Sequence, residues 1–399
     1  GETADGVLSG ARMGKDAPMI RTRDYLHRQK EALLRRHPGL RELRIVTVQE
    51  AGWDHQQTSA FVESCWRDYY RAEEARVIFS PEFLEWQLPE LRGMCALDRG
   101  GRPAGCLITF PRSYRMNGRT GMERFTLGSC LSVLPALRGR GIAQLMVLAV
   151  QELDLDSGSC FSCCYIDRRK NGSGSSYRIW GTSRSRAYSL SRISLLAKAF
   201  DWRKAREYGR LNSVAAAVVR GAQRLFPSRR GCPFTDGRRV QEGSREYLPA
   251  VRNLLAAADQ SLPVRRVYAD EELARMIAFR KNAFRALSYV LLDGKARADG
   301  FLFGYRLPVG ARDYAFFADG VVFRPGLPAL VRRAFLSECE GRLRDGEGCV
   351  GITLLSTASQ ENLLKYGYVP CDSQILGMDL YAGTGLTPRN LRGLRIELR

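Results

Sequence analysis

The chain has 399 residues, of which 45% are hydrophobic and 26% are charged, and its formal net charge is +20. This length fits two domains, and the composition excludes a disordered or fibrous chain. No stretch of the sequence approaches the roughly 20 uncharged apolar residues that a transmembrane helix needs. The first residues also lack the basic-then-apolar pattern of a secretory signal peptide. We therefore expect a soluble, cytoplasmic protein.

The elements of the first half are predicted from hydrophobic periodicity and from turn residues. Residues 1–19 are polar and aperiodic, and residues 20–36 have the pattern of a basic helix. Strands are predicted at 44–48, 94–97, 103–110, 124–133 and 160–166, and helices at 53–70, from 80 onward, at 141–153 and at 175–180.

The same order of elements begins again after residue 227. Strands are predicted at 238–241, 287–292, 300–305, 314–323, 350–355 and 375–381, and helices at 245–258, 270–279, 327–340 and 360–366. A repeated order of this kind indicates two related units. We predict a tail and basic helix at 1–42, a first unit at 43–226 and a second unit at 227–399.

Cysteine and histidine contents exclude several kinds of site. The eleven cysteines are an odd number without regular spacing, and three of them cluster in an apolar, strand-like segment at 159–166. We interpret them as core residues, because a zinc site would need more ligands nearby. The three histidines, His27, His37 and His55, all precede the motif described next. Chemistry built on a central histidine base or on a metal is therefore not expected.

One segment combines a strand, a basic glycine-rich turn and a helix. Residues 131–143 read Leu-Ser-Val-Leu-Pro-Ala-Leu-Arg-Gly-Arg-Gly-Ile-Ala. Such a turn points backbone N–H groups and the positive end of a helix at one spot. Gly139 and Gly141 let the main chain approach an anion, while Arg138 and Arg140 add forked donors suited to phosphate. The segment therefore predicts an anion-binding turn.

The pattern Val-x-Pro-x-x-Arg-Gly-x-Gly-x-Ala in this segment resembles the acetyl-CoA-binding motif of the GNAT superfamily of acyltransferases. The resemblance implies an α/β (α+β) fold of two tandem GNAT-like units, each with a mixed, mainly antiparallel sheet flanked by helices. It implies that the turn binds the pyrophosphate of an acyl-CoA co-substrate and that the preceding strand holds the thioester. The residues that it assigns to acyl-CoA are Leu131, Ser132, Val133, Arg138, Gly139, Arg140, Gly141, Ile142 and Ala143.

Tyr177 and Glu123 are the candidate catalytic residues. The string Tyr-Arg-Ile-Trp-Gly at 177–181 resembles the Tyr-x-x-x-Gly of GNAT enzymes, whose tyrosine often protonates the departing CoA thiolate. A phenol can donate this proton, and a packed aromatic residue is the structural alternative. Some family members keep a glutamate base where Glu123 stands, at the start of the fourth strand. Asp319 and a chain of water molecules are the alternative proton acceptors.

The second unit departs from the motif. Its matching segment at 322–328 reads Val-Phe-Arg-Pro-Gly-Leu-Pro, and Pro325 and Pro328 remove N–H donors that a pyrophosphate would need. Leu363 stands four residues before Gly367, where the family has its tyrosine. We predict that this unit binds no CoA. Two GNAT modules with one working site resemble the arrangement in N-myristoyltransferases and in Eis-type acetyltransferases.

Positive charge is concentrated between residues 168 and 230. This stretch holds 16 Lys or Arg residues against Asp201 and Glu207, a net charge of +14. We predict an acyl-CoA-dependent N-acyltransferase in which an amine of a small molecule, peptide or protein attacks the thioester. One alternative, which the basic stretch favours, is an acyltransferase or aminoacyltransferase with a different donor. The donor would then be an acidic acyl carrier protein or an RNA partner, charged tRNA. Another alternative is a non-catalytic module that binds nucleic acid or membrane, against which the intact turn argues.

Overall fold

The computed structural model describes residues 20–67, 78–167, 188–208, 211–226, 234, 236–309, 312–346, 348–356, 363–381, 386, 391 and 394. The strands within these ranges are β1 (Ile20–Arg21), β2 (Arg44–Thr47), β3 (Gly93–Leu97), β4 (Pro103–Met116), β5 (Glu123–Val133), β6 (Ser159–Asp167), β7 (Tyr188–Ala199), β8 (Arg239–Glu242), β9 (Val264–Val267), β10 (Phe279–Lys281), β11 (Phe284–Leu292), β12 (Ala298–Pro308), β13 (Tyr314–Phe323), β14 (Cys349–Ser356) and β15 (Val369–Tyr381). The α-helices are α1 (Arg23–Arg36), α2 (His55–Arg67), α3 (Pro81–Gln87), α4 (Ile142–Asp156), α5 (Trp202–Tyr208), α6 (Ser213–Leu225), α7 (Leu248–Ala258), α8 (Asp270–Ile277) and α9 (Ala329–Asp345).

The two units repeat one pattern of strand pairing. In the first unit β2, β3, β4 and β5 pair antiparallel in that order, and β6 joins β5 in parallel. In the second unit β8, β11, β12 and β13 pair antiparallel, and β14 joins β13 in parallel. Each unit therefore contains the mixed, mainly antiparallel set of strands that was predicted. The two sets pair edge to edge and form one continuous sheet.

The units exchange their last strands where the two sheets meet. Strand β7 of the first unit lies between β14 and β15, and β15 of the second unit lies between β7 and β6. A buried ion pair ties this seam to helix α9, since Lys198 Nζ on β7 lies 2.6 Å from Glu340 Oε2. The seam is therefore stabilised by hydrogen bonds between strands of different units. It is also stabilised by an ion pair whose two residues belong to different units.

Helix α3 packs against the second unit. Its start is as predicted, with the Ser80 hydroxyl accepting a hydrogen bond from Phe83 N–H at 3.1 Å and Pro81 in the first turn. The ring of Phe83 lies 5.3 Å from that of Tyr305, and Trp86 Nε1 donates to the Arg275 carbonyl at 2.8 Å. One apolar core therefore spans both units on this side of the sheet.

Helix α1 covers helix α4 on the other side of the first sheet. Leu26 and Leu33 are buried against the apolar residues of α4, and Lys30 Nζ contacts Glu152 Oε2 at 2.8 Å. The end of α1 thereby comes to the start of α4, where the predicted anion-binding turn lies.

Some predicted elements differ from the structure. The helix predicted at 360–366 is present only as a 3₁₀ turn at Leu363–Tyr366 among the described residues, and the helix predicted at 245–258 begins with a 3₁₀ turn at Arg245–Tyr247. Strand β4 continues to Met116, because its last four residues pair with β9, which the sequence did not reveal. Strand β7 and helices α5 and α6 lie in the basic stretch, where only a helix at 175–180 was predicted, and that segment lies outside the described residues. No helix in the described ranges is long and apolar enough to cross a membrane.

Candidate functional site

The turn between β5 and α4 has the geometry of an anion site. Strand β5 stops before Pro135, which cannot donate to a sheet, and a 3₁₀ turn at Pro135–Leu137 follows. Gly139 and Gly141 have φ angles of +78° and +84°, which side-chain-bearing residues rarely adopt. The first hydrogen bond of α4 runs from Leu145 N–H to the Gly141 carbonyl at 3.0 Å. The N–H groups of the first helical turn therefore point out of the helix end.

The cap of α4 leaves these N–H groups to a ligand. Helices usually begin with a Ser, Thr, Asp or Asn whose side chain accepts an N–H of the first turn. Gly141 occupies this position and has no side chain. Helix α4 is 15 residues long, so the positive end of its dipole also faces the turn. An anion placed here would be held by backbone donors and by the helix dipole together.

The two arginines of the turn have different environments. Arg138 donates from Nη2 to the Cys65 carbonyl at 2.6 Å, at the end of helix α2. This hydrogen bond anchors the turn to α2. Arg138 and Arg140 are both exposed, and phosphate binding by these two arginines stays a prediction.

His37 is a part of the site that the sequence did not reveal. A methyl group at Gly141 would lie 2.9 Å from His37 Cδ2 and 3.2 Å from Leu40 Cδ1. The segment that follows α1 therefore packs directly on the turn. In contrast, a methyl group at Gly139 would meet no atom within 4 Å, so the outer side of the turn is open. No local signal in the sequence indicates a contact between residues about 100 positions apart.

A β-bulge precedes the turn in strand β5. Ile108 of β4 pairs with Ser129 and Cys106 pairs with Ser132, so two residues of β5 face one of β4. Cys130 takes a φ of +55°, and its carbonyl accepts a hydrogen bond from the Ser132 hydroxyl at 3.0 Å. Bulges of this kind turn backbone groups out of the ladder and are frequent beside active sites.

Strands β5 and β6 separate at the same level. Their parallel pairing reaches Gly128 and Cys164, after which β6 continues alongside β15. Residues 129–133 of β5 thus have a strand neighbour only on the β4 side within the described part of the chain. Leu131, Ser132 and Val133, the predicted thioester-binding residues, lie on this part of β5, just before the turn.

Glu123 lies at the opposite end of β5 from the bulge. Leu131 lies eight positions further along the strand, a span of roughly 25 Å at ~3.3 Å per residue. The Glu123 carboxylate contacts Arg119 at 3.2 Å and accepts from the Cys160 thiol at 3.4 Å. This placement does not support the predicted role of Glu123 as the base. Tyr177, the predicted general acid, lies outside the described residues.

The cysteines around the site are core residues, as predicted. All nine that the structure describes are buried, and six of them belong to one core cluster: Cys65, Cys95, Cys106, Cys130, Cys160 and Cys163. Burial raises the pKa of the Cys95 thiol to about 12 and also raises the pKa of Cys106 and Cys130. Thiols held in the protonated form are poor nucleophiles, so Cys130 is not suited to carry an acyl group.

The second unit has the bulge but closes its turn differently. Asp319 is the extra residue of a bulge between β12 and β13, and the parallel pairing of β13 with β14 ends at Ala318. Arg324 Nε lies 2.7 Å from Asp299 Oδ1, and Arg332 Nε donates to the Leu327 carbonyl at 2.8 Å. Two arginines at this turn are therefore engaged within the protein, and the absence of a CoA site in this unit stays a prediction.

The described half of the basic stretch forms β7, α5 and α6. Lys204 Nζ contacts Asp313 Oδ1 at 2.8 Å, and the Tyr208 hydroxyl donates to Asp313 Oδ2 at 2.6 Å. These hydrogen bonds hold the pKa of the Asp313 carboxyl below its usual value. Lys204, one of the basic residues of this stretch, thus helps to hold α5 against the second unit.

Solved structures with the same architecture are known. Saccharomyces cerevisiae N-myristoyltransferase with bound myristoyl-CoA is similar at a TM-score of 0.61 and 11% sequence identity, over 89% of this chain and 83% of the yeast chain. The fold is that of yeast N-myristoyltransferase. A GCN5-related N-acetyltransferase from Anabaena variabilis is similar at a TM-score of 0.51 and 12% identity, over 84% of this chain and 72% of that chain. No protein-family model matches the sequence, and no curated protein sequence matches it. The tandem GNAT fold predicted from the sequence, with its N-myristoyltransferase-like arrangement, is confirmed.

Proposed function

We propose that the protein is an acyl-CoA-dependent N-acyltransferase that uses the first unit as its only CoA site. The observation that carries the proposal is the turn at 138–143, where two left-handed glycines, one of them the cap of α4, shape the backbone at a helix end. Backbone donors at a helix end suit the pyrophosphate of CoA. The similar yeast N-myristoyltransferase was crystallised with myristoyl-CoA, which supports an acyl-CoA as the co-substrate.

The donor would run from the turn towards the opening between β5 and β6. With the pyrophosphate on the N–H groups of Gly139, Gly141, Ile142 and Ala143, the pantetheine arm would follow β5. The thioester carbonyl would then meet the main-chain donors beside the bulge at 130–133. Donors fixed in this way stabilise the oxyanion that forms when an amine attacks the carbonyl carbon.

The transfer needs one proton acceptor and one proton donor. The neutral amine attacks, its C–N bond forms, and the ammonium proton passes to water, because Glu123 is too distant to take it. When the C–S bond breaks, the thiolate takes a proton, and Tyr177 is the residue that the family resemblance assigns to this step. The products are an amide and free CoA.

The test follows transfer from defined donors to defined amines. Acetyl-CoA and myristoyl-CoA are each offered with an amino sugar, an amino acid and a peptide with a free N-terminus, while release of CoA thiol and the mass of the acylated amine are recorded. We expect equal amounts of thiol and amide with at least one pair. An acylated carrier protein and a charged tRNA are included as alternative donors.

Two glycine variants separate transfer at the proposed site from a contaminating activity. Gly139→Ala should lose the transfer, and Gly326→Ala, which alters the turn of the second unit, should keep it. Binding of acyl-CoA without transfer to any amine would contradict the proposed activity. Transfer that proceeds only from the carrier protein or the tRNA would contradict the proposed donor.

A further inference from the structure

Exposed apolar side chains are concentrated on one part of the surface. In the described part of the chain seven large apolar side chains are exposed, and five of them lie on or beside helix α6. These five are Val214, Val218, Leu225, Leu330 and Leu364. Leu225 and Leu330 are 74% and 80% exposed. We call these five residues the apolar patch.

Helix α6 is fixed so that its apolar stripe faces outward. Val214, Val218 and Leu225 are spaced by four and seven residues, which places them on one face of the helix. The opposite face is anchored, since Ala216 is buried and Gln223 Nε2 donates to the Phe200 carbonyl at 2.6 Å. The stripe is therefore a stable feature of the surface.

Phe226, at the end of α6, contacts the two elements that carry the remaining members of the patch, Leu330 and Leu364. Its ring lies 5.8 Å from the Arg333 guanidinium of α9, and its side chain packs against Gly367 so closely that a methyl group there would clash. Leu330 lies one helical turn before Arg333, and Leu364 lies in the 3₁₀ turn just before Gly367. Three elements that meet at Phe226 thus each expose a leucine.

Basic side chains accompany the patch. Arg220 and Arg224 are exposed on α6, and the Arg220 guanidinium lies 5.2 Å from the Trp202 ring of α5. Arg333 and Lys365 are exposed on the two neighbouring elements. An outward helix with an apolar stripe and flanking arginines has the chemistry of a helix that lies in the interface of a membrane.

We propose that the apolar patch and its four basic residues bind the surface of an anionic lipid membrane. The Val and Leu side chains would enter the boundary between headgroups and acyl chains, and the cations would contact acidic headgroups. Nucleic acid is the weaker fit, because phosphates and bases give aliphatic side chains no partner. The proposal does not depend on the proposed acyl transfer, and its test needs no turnover.

The test measures binding of the full chain to vesicles by flotation. We expect binding to phosphatidylcholine vesicles that contain about 30% phosphatidylserine and much weaker binding to phosphatidylcholine alone. Val218→Asp with Leu225→Asp should lower the partition coefficient by about tenfold or more. Met122→Asp is the matched control, since Met122 is 64% exposed far along the chain from the patch, and it should leave binding unchanged.

Charge is tested separately from apolar contact. Arg220→Glu with Arg224→Glu should weaken binding to the acidic vesicles, whereas Arg115→Glu with Arg280→Glu, an equal change at exposed arginines elsewhere, should weaken it less. Thermal unfolding checks that each variant is folded. If the variant with Leu225→Asp does not fold, Leu330→Asp is used in place of that substitution.

Three results would overturn the proposal. The first is no binding to acidic vesicles. The second is a dimer in sedimentation that Leu225→Asp dissociates, which would assign the patch to a second copy of the chain. The third is binding of single-stranded RNA, without vesicle binding, that survives the aspartate substitutions.

Discussion

Two glycines in corresponding turns offer a matched test of the site. Gly139 and Gly326 both have a φ of +78°, and a methyl group at either would meet no atom within 4 Å. Alanine at either position is therefore expected to cost about 1–2 kcal/mol of folding stability through its left-handed backbone alone. Only Gly139 lies in the turn that we propose for CoA.

The two variants should differ sharply in binding. A methyl group at Gly139 would stand where the pyrophosphate approaches, so at least one charge-assisted hydrogen bond would be lost. Such a bond contributes about 1.5–3 kcal/mol. The dissociation constant for acyl-CoA should therefore rise by about 10- to 150-fold in Gly139→Ala. In Gly326→Ala it should not change.

Gly141 adds a test of the packing behind the turn. A methyl group there would lie within 3.2 Å of His37 and Leu40, so Gly141→Ala should displace the turn as well as strain its backbone. Removing the ring in His37→Ala should relieve part of this clash and restore part of the binding. Rescue of this kind would show that the end of α1 positions the turn.

Isothermal titration with acyl-CoA measures these constants, and thermal unfolding measures the shared loss of stability. Equal affinity of Gly139→Ala and Gly326→Ala would refute the reasoning. The reasoning would also be refuted if both variants lost acyl-CoA affinity in proportion to their loss of folding stability.

Three further predictions concern single side chains and one ion pair. Tyr177→Phe should retain acyl-CoA binding while turnover falls by roughly 10²-fold, as for a lost general acid, and near-normal turnover would make Tyr177 a packing residue. Cys130→Ala should keep turnover, because burial holds this thiol protonated; an acyl group found on Cys130 by mass spectrometry would contradict this. Lys198→Met should lower the free energy of unfolding in urea by about 3–5 kcal/mol, since it leaves Glu340 buried without its cation. Adding Glu340→Met should recover most of that loss, and an unchanged free energy of unfolding in the single variant would show that the pair does not stabilise the seam.

Local signals in the sequence predicted the strand, the turn and the helix of the candidate site. The proline, the two glycines and the apolar period after Gly141 each specify a conformation over a few residues, and the structure has β5, the turn and α4 as these residues predict. The Ser80 and Pro81 signals fixed the start of α3 in the same way. The repeated order of elements predicted the tandem fold, because each unit must bury its own sheet.

Features that depend on distant pairing could not be predicted. The bulge at Cys130 is defined by how β5 pairs with the distant strand β4. The exchange of β7 and β15 likewise depends on contacts between the two units. The hydrogen bond from Arg138 to the Cys65 carbonyl joins two distant segments, so it is visible only in three dimensions. Helix α6 was missed, since the unbroken apolar run at 214–219 shows no helical period.

The most direct test of the proposed function is a crystal structure with an acyl-CoA analogue that has a methylene between sulfur and carbonyl, so that transfer is blocked. The account predicts one analogue per chain, with its pyrophosphate on the N–H groups of residues 139–143 and its carbonyl oxygen at the bulge of β5. Density for the pyrophosphate at the turn of the second unit, or a carbonyl far from residues 130–133, would contradict it.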